Sequence, residues 1–181
     1  MKKIVIYQSK YGSSERYAKW LAESAGCQAV NAADAGKINF DSHDIIIFGG
    51  ALYVGKINGI SVLTNKWEML KSKRLIVFIV GLEGLGNKDY LQSIIDNNFN
   101  AEQKKIIKFF HLKGSIDYKK LNPLYKIMMF IRKISLKYKK DSDLSEEEKE
   151  FLSLYGKPAD FVRRDALKPV EDYIAQIERT E

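Results

Sequence analysis

The sequence predicts an α/β fold: a doubly wound, five-stranded parallel sheet with helices on both faces. Three observations carry the prediction. β-branched runs recur at Lys3–Gln8 (KIVIYQ), Asp44–Phe48 (DIIIF), Arg74–Val80 (RLIVFIV) and Lys105–Phe110 (KIIKFF), and a run apolar on both sides of the pleat is a strand covered on both faces. Segments of helical period lie between them, which makes βαβ units and a parallel sheet. The first three of these runs end on polar or glycine-rich stretches, at the sheet edge where doubly wound folds hold their ligands.

Taken in order, Lys3–Gln8 is the first strand. Ser13–Ala25 follows as a helix, with Tyr17, Ala18, Leu21, Ala22 and Ala25 on one face. A weak strand over Gln28–Asn31 completes the five. Asp44–Phe48 is the third strand, Ile57–Leu70 reads as a helix, Arg74–Val80 is the fourth strand, Lys88–Asp96 a short helix and Lys105–Phe110 the last strand. Beyond it the alternation stops. Asn122-Pro123 opens a helix that runs to about Lys140, since proline is favoured in the first helical turn. Ser145-Glu146-Glu147-Glu148 has the form of a capping box, and Gly156 and Pro158 end the helix it starts. Val170, Tyr173, Ile174 and Ile177 mark a final amphipathic helix packing back on the sheet. The 181 residues are thus expected to form one domain, 1–181, with a helical insertion at about 113–160.

Composition excludes several classes. At 45% hydrophobic residues the chain has enough apolar side chain to fold. The lone Cys27 rules out an internal disulfide and reads as a partly buried, inert thiol. After Met-Lys-Lys the apolar run is only Ile4–Tyr7, too short for a secretory leader. The longest uncharged run, Ile45–Gly55, has 11 residues, against roughly 20 for a spanning helix. Charge is uneven. Residues 103–140 hold 12 Lys/Arg and one acid, Asp117, while the remainder holds 18 Lys/Arg and 22 acids.

The candidate site lies in three loops. Ser9-Lys10-Tyr11-Gly12-Ser13-Ser14 joins the first strand to the first helix. Its hydroxyls can donate to phosphate oxygens, Gly12 permits a backbone that turns N–H groups inward, and the helix N-terminus adds partial positive charge. The same stretch also reads as an ordinary N-cap, with Ser13 or Ser14 serving the first helical amides. Neither a Walker loop nor a G-x-G-x-x-G fingerprint is present. After the third strand comes Gly49-Gly50-Ala51-Leu52-Tyr53-Val54-Gly55, and after the fourth Gly81-Leu82-Glu83-Gly84-Leu85-Gly86. Glycines there let backbone approach a flat ligand, and Tyr53 can stack on a ring. A phosphate cradle with two such loops describes a site for flavin mononucleotide (FMN).

On these residues the chain resembles the flavodoxin family over about 1–112 and the last helix. That family's first loop reads roughly [ST]-x-[ST]-G-x-[ST], and Tyr11 departs from the small hydroxyl expected at its position. The resemblance implies strand order 2-1-3-4-5, FMN as cofactor, and contacts from Ser9, Lys10, Tyr11, Gly12, Ser13 and Ser14 to its phosphate. It further implies that Ala51, Leu52, Tyr53, Val54 and Gly55, together with Gly81, Leu82, Glu83 and Gly84, flank its ring. Glu83 beside a flavin would disfavour an anionic reduced ring; as a solvated loop acid it would do nothing. No catalytic residue, acid–base pair or metal site is singled out. His43 precedes a buried strand. His111 ends one and either approaches the site or is structural.

The segment Leu121–Lys140 (LNPLYKIMMFIRKISLKYKK) is basic and apolar at once. Lys119, Lys126, Lys133 and Lys140 recur every seven residues and form a stripe with Lys137. Leu124, Ile127, Met128, Ile131, Ile134 and Tyr138 lie opposite, widened by Tyr125, Met129 and Leu136. Such a helix either lies on an anionic membrane surface or packs its apolar side on its own domain. Nucleic-acid binding is not expected, because no recognisable module accompanies the charge. Gly114-Ser115-Ile116-Asp117-Tyr118 before this helix, and Gly49–Gly55, resemble menaquinone-dependent protoporphyrinogen oxidases. That resemblance implies an FMN-dependent oxidoreductase of haem biosynthesis, taking electrons from a reduced tetrapyrrole to a quinone. It places the protein in the cytoplasm, with peripheral contact at the inner face of the cell membrane. The other reading is a flavodoxin-like electron carrier serving a protein redox partner. A phospho-receiver is not expected, because the first strand lacks the paired acids that hold magnesium.

Overall fold

The computed structural model describes residues 1–82 and 88–180. They divide into two compact units, one of residues 1–114 with 162–181 and one of residues 115–161.

The first unit is the doubly wound sheet. Its strands are β1 (Lys3–Gln8), β2 (Gln28–Asn31), β3 (Ile45–Tyr53), the two-residue β4 (Lys56–Ile57), β5 (Arg74–Gly81) and β6 (Lys108–Lys113). The parallel strands run in the order β2-β1-β3-β5-β6, with β4 antiparallel to the end of β3. Set aside β4, and this is the expected 2-1-3-4-5 order. Helices α1 (Ser13–Ala25), α2 (Ser61–Thr64), α3 (Trp67–Leu70), α4 (Lys88–Asn98), α5 (Ala101–Ile106) and, after the second unit, α8 (Lys168–Arg179) complete it.

Alternate residues of each apolar strand feed opposite faces. Val5, Tyr7, Ile45, Ile47, Ile76 and Phe78 join Tyr17 and Leu21 of α1 and Val170 and Ile174 of α8. Ile4, Ile6, Ile46, Phe48, Val77 and Ile79 join Leu63, Trp67, Ile94 and Ile95 on the other side. This explains why the strands read as continuous apolar runs. Each fully buried Ile, Val or Phe there contributes roughly 1.5–3 kcal/mol.

Three expectations are corrected. Ile57–Leu70 is not one helix: Ile57 belongs to β4, Gly59 turns the chain at φ +77, and α2 and α3 follow as single turns. Ile57 is needed in the core, and a Cβ on Gly59 would stand 2.6 Å from the Gln8 Cβ. The last strand begins at Lys108 rather than Lys105, because Asn100 and Gln103 form a reciprocal capping box whose helix α5 takes up residues through Ile106. The third strand does not stop at Phe48 but runs on through Gly49 and Gly50 to Tyr53.

The second unit holds a two-stranded antiparallel ladder, β7 (Ser115–Ile116) with β8 (Ala159–Asp160), and two helices, α6 (Pro123–Lys137) and α7 (Glu146–Leu154). Asn122 caps α6 through the Tyr125 N–H at 2.8 Å, and Ser145 with Glu148 closes the capping box of α7. The two helices meet through cations on rings: the Arg132 guanidinium lies 4.9 Å from the Phe151 centroid and the Lys133 ammonium 4.2 Å from that of Tyr155. Tyr118 adds an edge-on contact to Tyr155 at 5.1 Å. Met129 and Leu136 are buried, whereas Leu124, Ile127, Ile131, Ile134 and Tyr138 are exposed. Within the 115–161 unit, α6 therefore buries the flank read as a mere widening, Met129 and Leu136, and not this apolar side.

Among the described residues no helix is long and apolar enough to cross a membrane. No group of His, Cys, Asp or Glu among them is placed to hold a metal.

Candidate functional site

The chain leaves β1 at Gln8 and enters α1 at Ser13, so residues 9–12 form the turn at the carboxyl edge of the sheet. Gly12 sits at φ +92, a left-handed conformation that costs glycine little and other residues more. Gly12 is also the residue before the helix, and it offers no side chain to cap it. The reading of Ser13 or Ser14 as the N-cap is thus overturned: both are already helical, with Arg16 N–H donating to the Gly12 carbonyl at 3.0 Å. The Gly12 N–H is not turned inward either, but donates to Ser9 Oγ at 3.0 Å.

Two hydroxyls of this turn stand out. Ser14 Oγ and Tyr11 Oη are shut away from solvent without a hydrogen-bond partner among the described residues. A buried hydroxyl left so costs about 1–3 kcal/mol, and native structures satisfy nearly all of them. A phosphate at the mouth of α1 suits Ser14, which lies in the first helical turn, since its oxygens accept from hydroxyls and from the amides that no side chain caps. Tyr11, the departure from the family pattern, thus carries a hydroxyl of its own to the turn. The nearby charges also suit an anion. Lys10 is the cation of the loop, and Glu15 in the first turn of α1 is paired with Lys19 at 2.6 Å.

The second segment is not a loop over its first half. Gly49 pairs with Phe78 across β3 and β5, and a Cβ on Gly49 would fall 1.9 Å from the Phe78 ring. A Cβ on Gly50 would meet Ile57 Cγ2 at 2.6 Å and the Asn58 carbonyl at 2.8 Å. These two glycines are required by internal packing, not by a ligand. Ala51, Leu52 and Tyr53 continue β3, and Val54 and Gly55 make the turn to β4 at φ +51 and +71. Positive φ at both central positions is the hairpin geometry that suits the right-handed twist of strands. For β-branched Val54 it is a strained conformation, of the kind that collects at ligand clamps.

A residue that no sequence signal marked pins this hairpin. Asn98, in the last turn of α4, donates through Nδ2 to the Gly55 carbonyl and to the Ile94 carbonyl, both at 2.8 Å, and its Oδ1 accepts from the Ile57 N–H at 2.9 Å. An asparagine at a helix end looks like any other, and its two hairpin partners, Gly55 and Ile57, lie 43 and 41 residues away in the chain.

In the third segment Gly81 ends β5 and Leu82 follows it. Glu83, Gly84, Leu85 and Gly86 lie outside the described residues. Gly81 is joined to the first loop through its neighbour Gly114. The Gly114 N–H donates to the Gly81 carbonyl at 2.7 Å, and a Cβ on Gly114 would stand 3.7 Å from Ser13 Oγ. Tyr17 locks the same corner, donating to the Lys113 carbonyl at 2.8 Å and accepting from the Arg163 N–H at 3.3 Å. On the other side the Lys10 ammonium lies 4.7 Å from the Tyr53 ring centroid and 5.6 Å from that of Tyr11. The fold therefore brings Ser9–Ser14, Tyr53 and Gly81 to one sheet edge.

Of the two histidines, His43 lies apart from these contacts. His43 precedes β3 at the amino end of the sheet, where its Nδ1–H donates to the Asn39 carbonyl at 2.9 Å. His111 is half-buried inside β6, opposite Ile79. A cavity of about 340 Å³ lined by Lys3, Ser24, Lys168, Glu171 and Glu178 also opens at the amino end and has no part in this site.

A family model described as a flavodoxin domain matches residues 4–143. No curated protein matches the chain. Among solved structures, a Trp repressor binding protein from Bacillus subtilis is 16% identical over 62% of this chain and 83% of its own, with a TM-score of 0.47. A flavodoxin, WrbA-like protein from Agrobacterium tumefaciens is 22% identical over 61% and 82%, with a TM-score of 0.42. Oxidised Flavodoxin 2 from Bacillus cereus is 14% identical over 85% and 94%, with a TM-score of 0.45.

Proposed function

Because the chain belongs to the flavodoxin domain family, whose cofactor is FMN, we propose that it is an FMN-dependent oxidoreductase resembling menaquinone-dependent protoporphyrinogen IX oxidase. In this reading it passes electrons from a reduced tetrapyrrole to a quinone. Each two-electron oxidation of the tetrapyrrole releases two protons, and each quinone reduced to quinol takes up two. The observation that carries the cofactor site is the buried Ser14 Oγ in the first turn of a helix that no side chain caps; it has no hydrogen-bond partner among the described residues, and nor has Tyr11 Oη of the same loop.

When bound, FMN supplies the redox chemistry. The chain's own residues bind and orient. Ser9, Lys10, Tyr11, Gly12, Ser13 and Ser14 hold the phosphate, by hydroxyls, backbone and one ammonium. Ala51, Leu52, Tyr53, Val54 and Gly55 present a hairpin edge to the ring, with Asn98 holding that hairpin in register. Gly81 and Leu82 border the ring from β5; Glu83 and Gly84 are assigned to the same border. The tetrapyrrole and quinone are supported by the Gly114–Tyr118 element and the basic, methionine-containing helix that follows it. The second reading, an electron carrier serving a protein redox partner, is favoured by the lack of an acid–base pair among the described site residues.

The test begins with the visible spectrum of the purified protein before and after adding FMN. An oxidised-flavin spectrum is expected, and porphyrinogen oxidation with menaquinone should then outpace reduction of a soluble carrier; the reverse ranking selects the carrier. Gly12→Asp should weaken FMN at least about tenfold by repelling the phosphate, while Gly12→Asn, equally strained at φ +92, should bind nearly as wild type. Equal affinity of the two variants would remove the phosphate from this turn.

A further inference from the structure

Helix α6 wears its apolar side outward. Ten large hydrophobic residues are exposed among the described residues, and six of them are Leu124, Ile127, Phe130, Ile131, Ile134 and Tyr138. They range from 39% to 87% exposed, while Met129 and Leu136 on the opposite side are 9% and 4%. At about 100° per residue, the six fall within one continuous arc of the helix. Single exposed apolar residues are ordinary, but a contiguous row of this size marks an interaction surface.

Charge identifies what covers it. Lys126 and Lys137 border the arc along its Phe130 edge; both are exposed, and neither has an ion-pair partner among the described residues. Lys140 extends the basic rim beyond the helix end. Residues 121–140 contain six Lys/Arg and no acid. A second copy of this chain would bring two such rims together without a carboxylate on either, so self-association through this face is opposed by like charge. Nor is the helix a span: at 15 residues it is about 22 Å long, and no described helix meets the requirement for crossing. An apolar face rimmed by lysines matches the boundary between phosphate headgroups and acyl chains, where the rim meets anionic groups and the face enters hydrocarbon.

We propose that the outward face of α6 docks on an anionic phospholipid surface, with Ile127, Phe130 and Ile131 inserted below the headgroups and Lys126 and Lys137 at their level. The interaction stands on the 115–161 unit and does not depend on the cofactor reading.

The test is co-sedimentation of the full-length protein with vesicles of phosphatidylcholine alone or with 30 mol% (about one lipid in three) phosphatidylglycerol. Wild type is expected to pellet with the anionic vesicles, to remain in solution with neutral ones, and to be released as salt rises. Ile127→Ser/Ile131→Ser and Lys126→Glu/Lys137→Glu should each reduce binding at least about tenfold. These positions are exposed, so the variants should keep the wild-type melting temperature. Lys2→Glu/Lys105→Glu, an equal charge change at exposed sites outside the unit, should bind as wild type. The proposal is overturned if wild type ignores anionic vesicles, or if the serine variant binds undiminished, which would leave only diffuse electrostatic attraction. It is equally overturned if the control pair loses as much as the α6 pair. Sedimentation velocity supplies the last outcome: a dimer abolished by the serine variant, without vesicle binding, would assign the face to a second copy. None of these readings uses flavin absorbance, so failure here leaves the redox reading untouched.

Discussion

Gly49 shows how a single missing Cβ can be mistaken for a ligand contact. Its neighbour in the sheet is Phe78, fully buried, whose ring occupies the space a Gly49 side chain would take. Gly49→Ala should therefore destabilise the protein by about 1–3 kcal/mol, the cost of overpacking a dense core. Denaturant unfolding of Gly49→Ala, Phe78→Leu and the double variant checks the cause. The double variant should be more stable than the two single losses predict, and strict additivity would refute the contact. Cys27 offers a second check at this scale. Burial pushes its thiol up from the ordinary value, with Lys3 pulling partly back and Glu178 adding to the rise. The thiolate is the nucleophile, so alkylation of the folded protein at pH 8 should be slower than that of free cysteine and should quicken in urea. The sign for stability follows from the same shift. The folded state holds this proton more tightly than the unfolded one. Stability from this group is therefore full below the unfolded value and is lost as pH rises through the folded one.

At the scale of elements, the β3–β4 hairpin is the part of the site most open to attack. It leaves the parallel sheet, carries strained Val54 at its tip, and is tied back by two hydrogen bonds to one side chain of α4. Asn98→Ala would orphan the N–H of buried Ile57, at a cost of about 1–3 kcal/mol. FMN affinity should fall with it, because Tyr53 and its neighbours would no longer be held against the first loop. Amide exchange gives a direct reading: residues 52–57 should lose protection in Asn98→Ala while β1 and β5 keep theirs. Unchanged exchange at Ile57 would show that Asn98 is not the anchor. The hairpin itself was hidden in the sequence, because Gly49-Gly50 reads as the end of a strand. Strand and loop are separated there by a packing requirement from Phe78, a residue in another strand.

For the whole molecule, the parallel sheet and its strand order were legible because apolar strands covered on both faces have a signature that needs no partner to be read. The turn at Ser9–Ser14 was legible as a site for a similar reason, since helix N-termini bind anions through local backbone geometry. Which hydroxyls remain without partners was not, because that is settled by everything packed around them. Tyr11 is the departure from the motif, yet its hydroxyl is one of the two in this turn without a hydrogen-bond partner among the described residues. The orientation of α6 is the clearest case. Periodicity separated an apolar side from a basic one, though it left out Phe130, which is exposed with the apolar row, and took no account of Lys133 on Tyr155; an amphipathic helix has the same pattern whether its apolar side meets a core or solvent. Only tertiary packing, through Arg132 on Phe151, Lys133 on Tyr155, and buried Met129 and Leu136, turned the broader apolar side outward. By itself the amino-acid order determined what is local: strands, helix caps, turn chemistry and the division of charge. The tertiary structure decided what depends on distant neighbours: which glycines are spoken for, which side chain pins the hairpin, and which face of a helix is left for another surface.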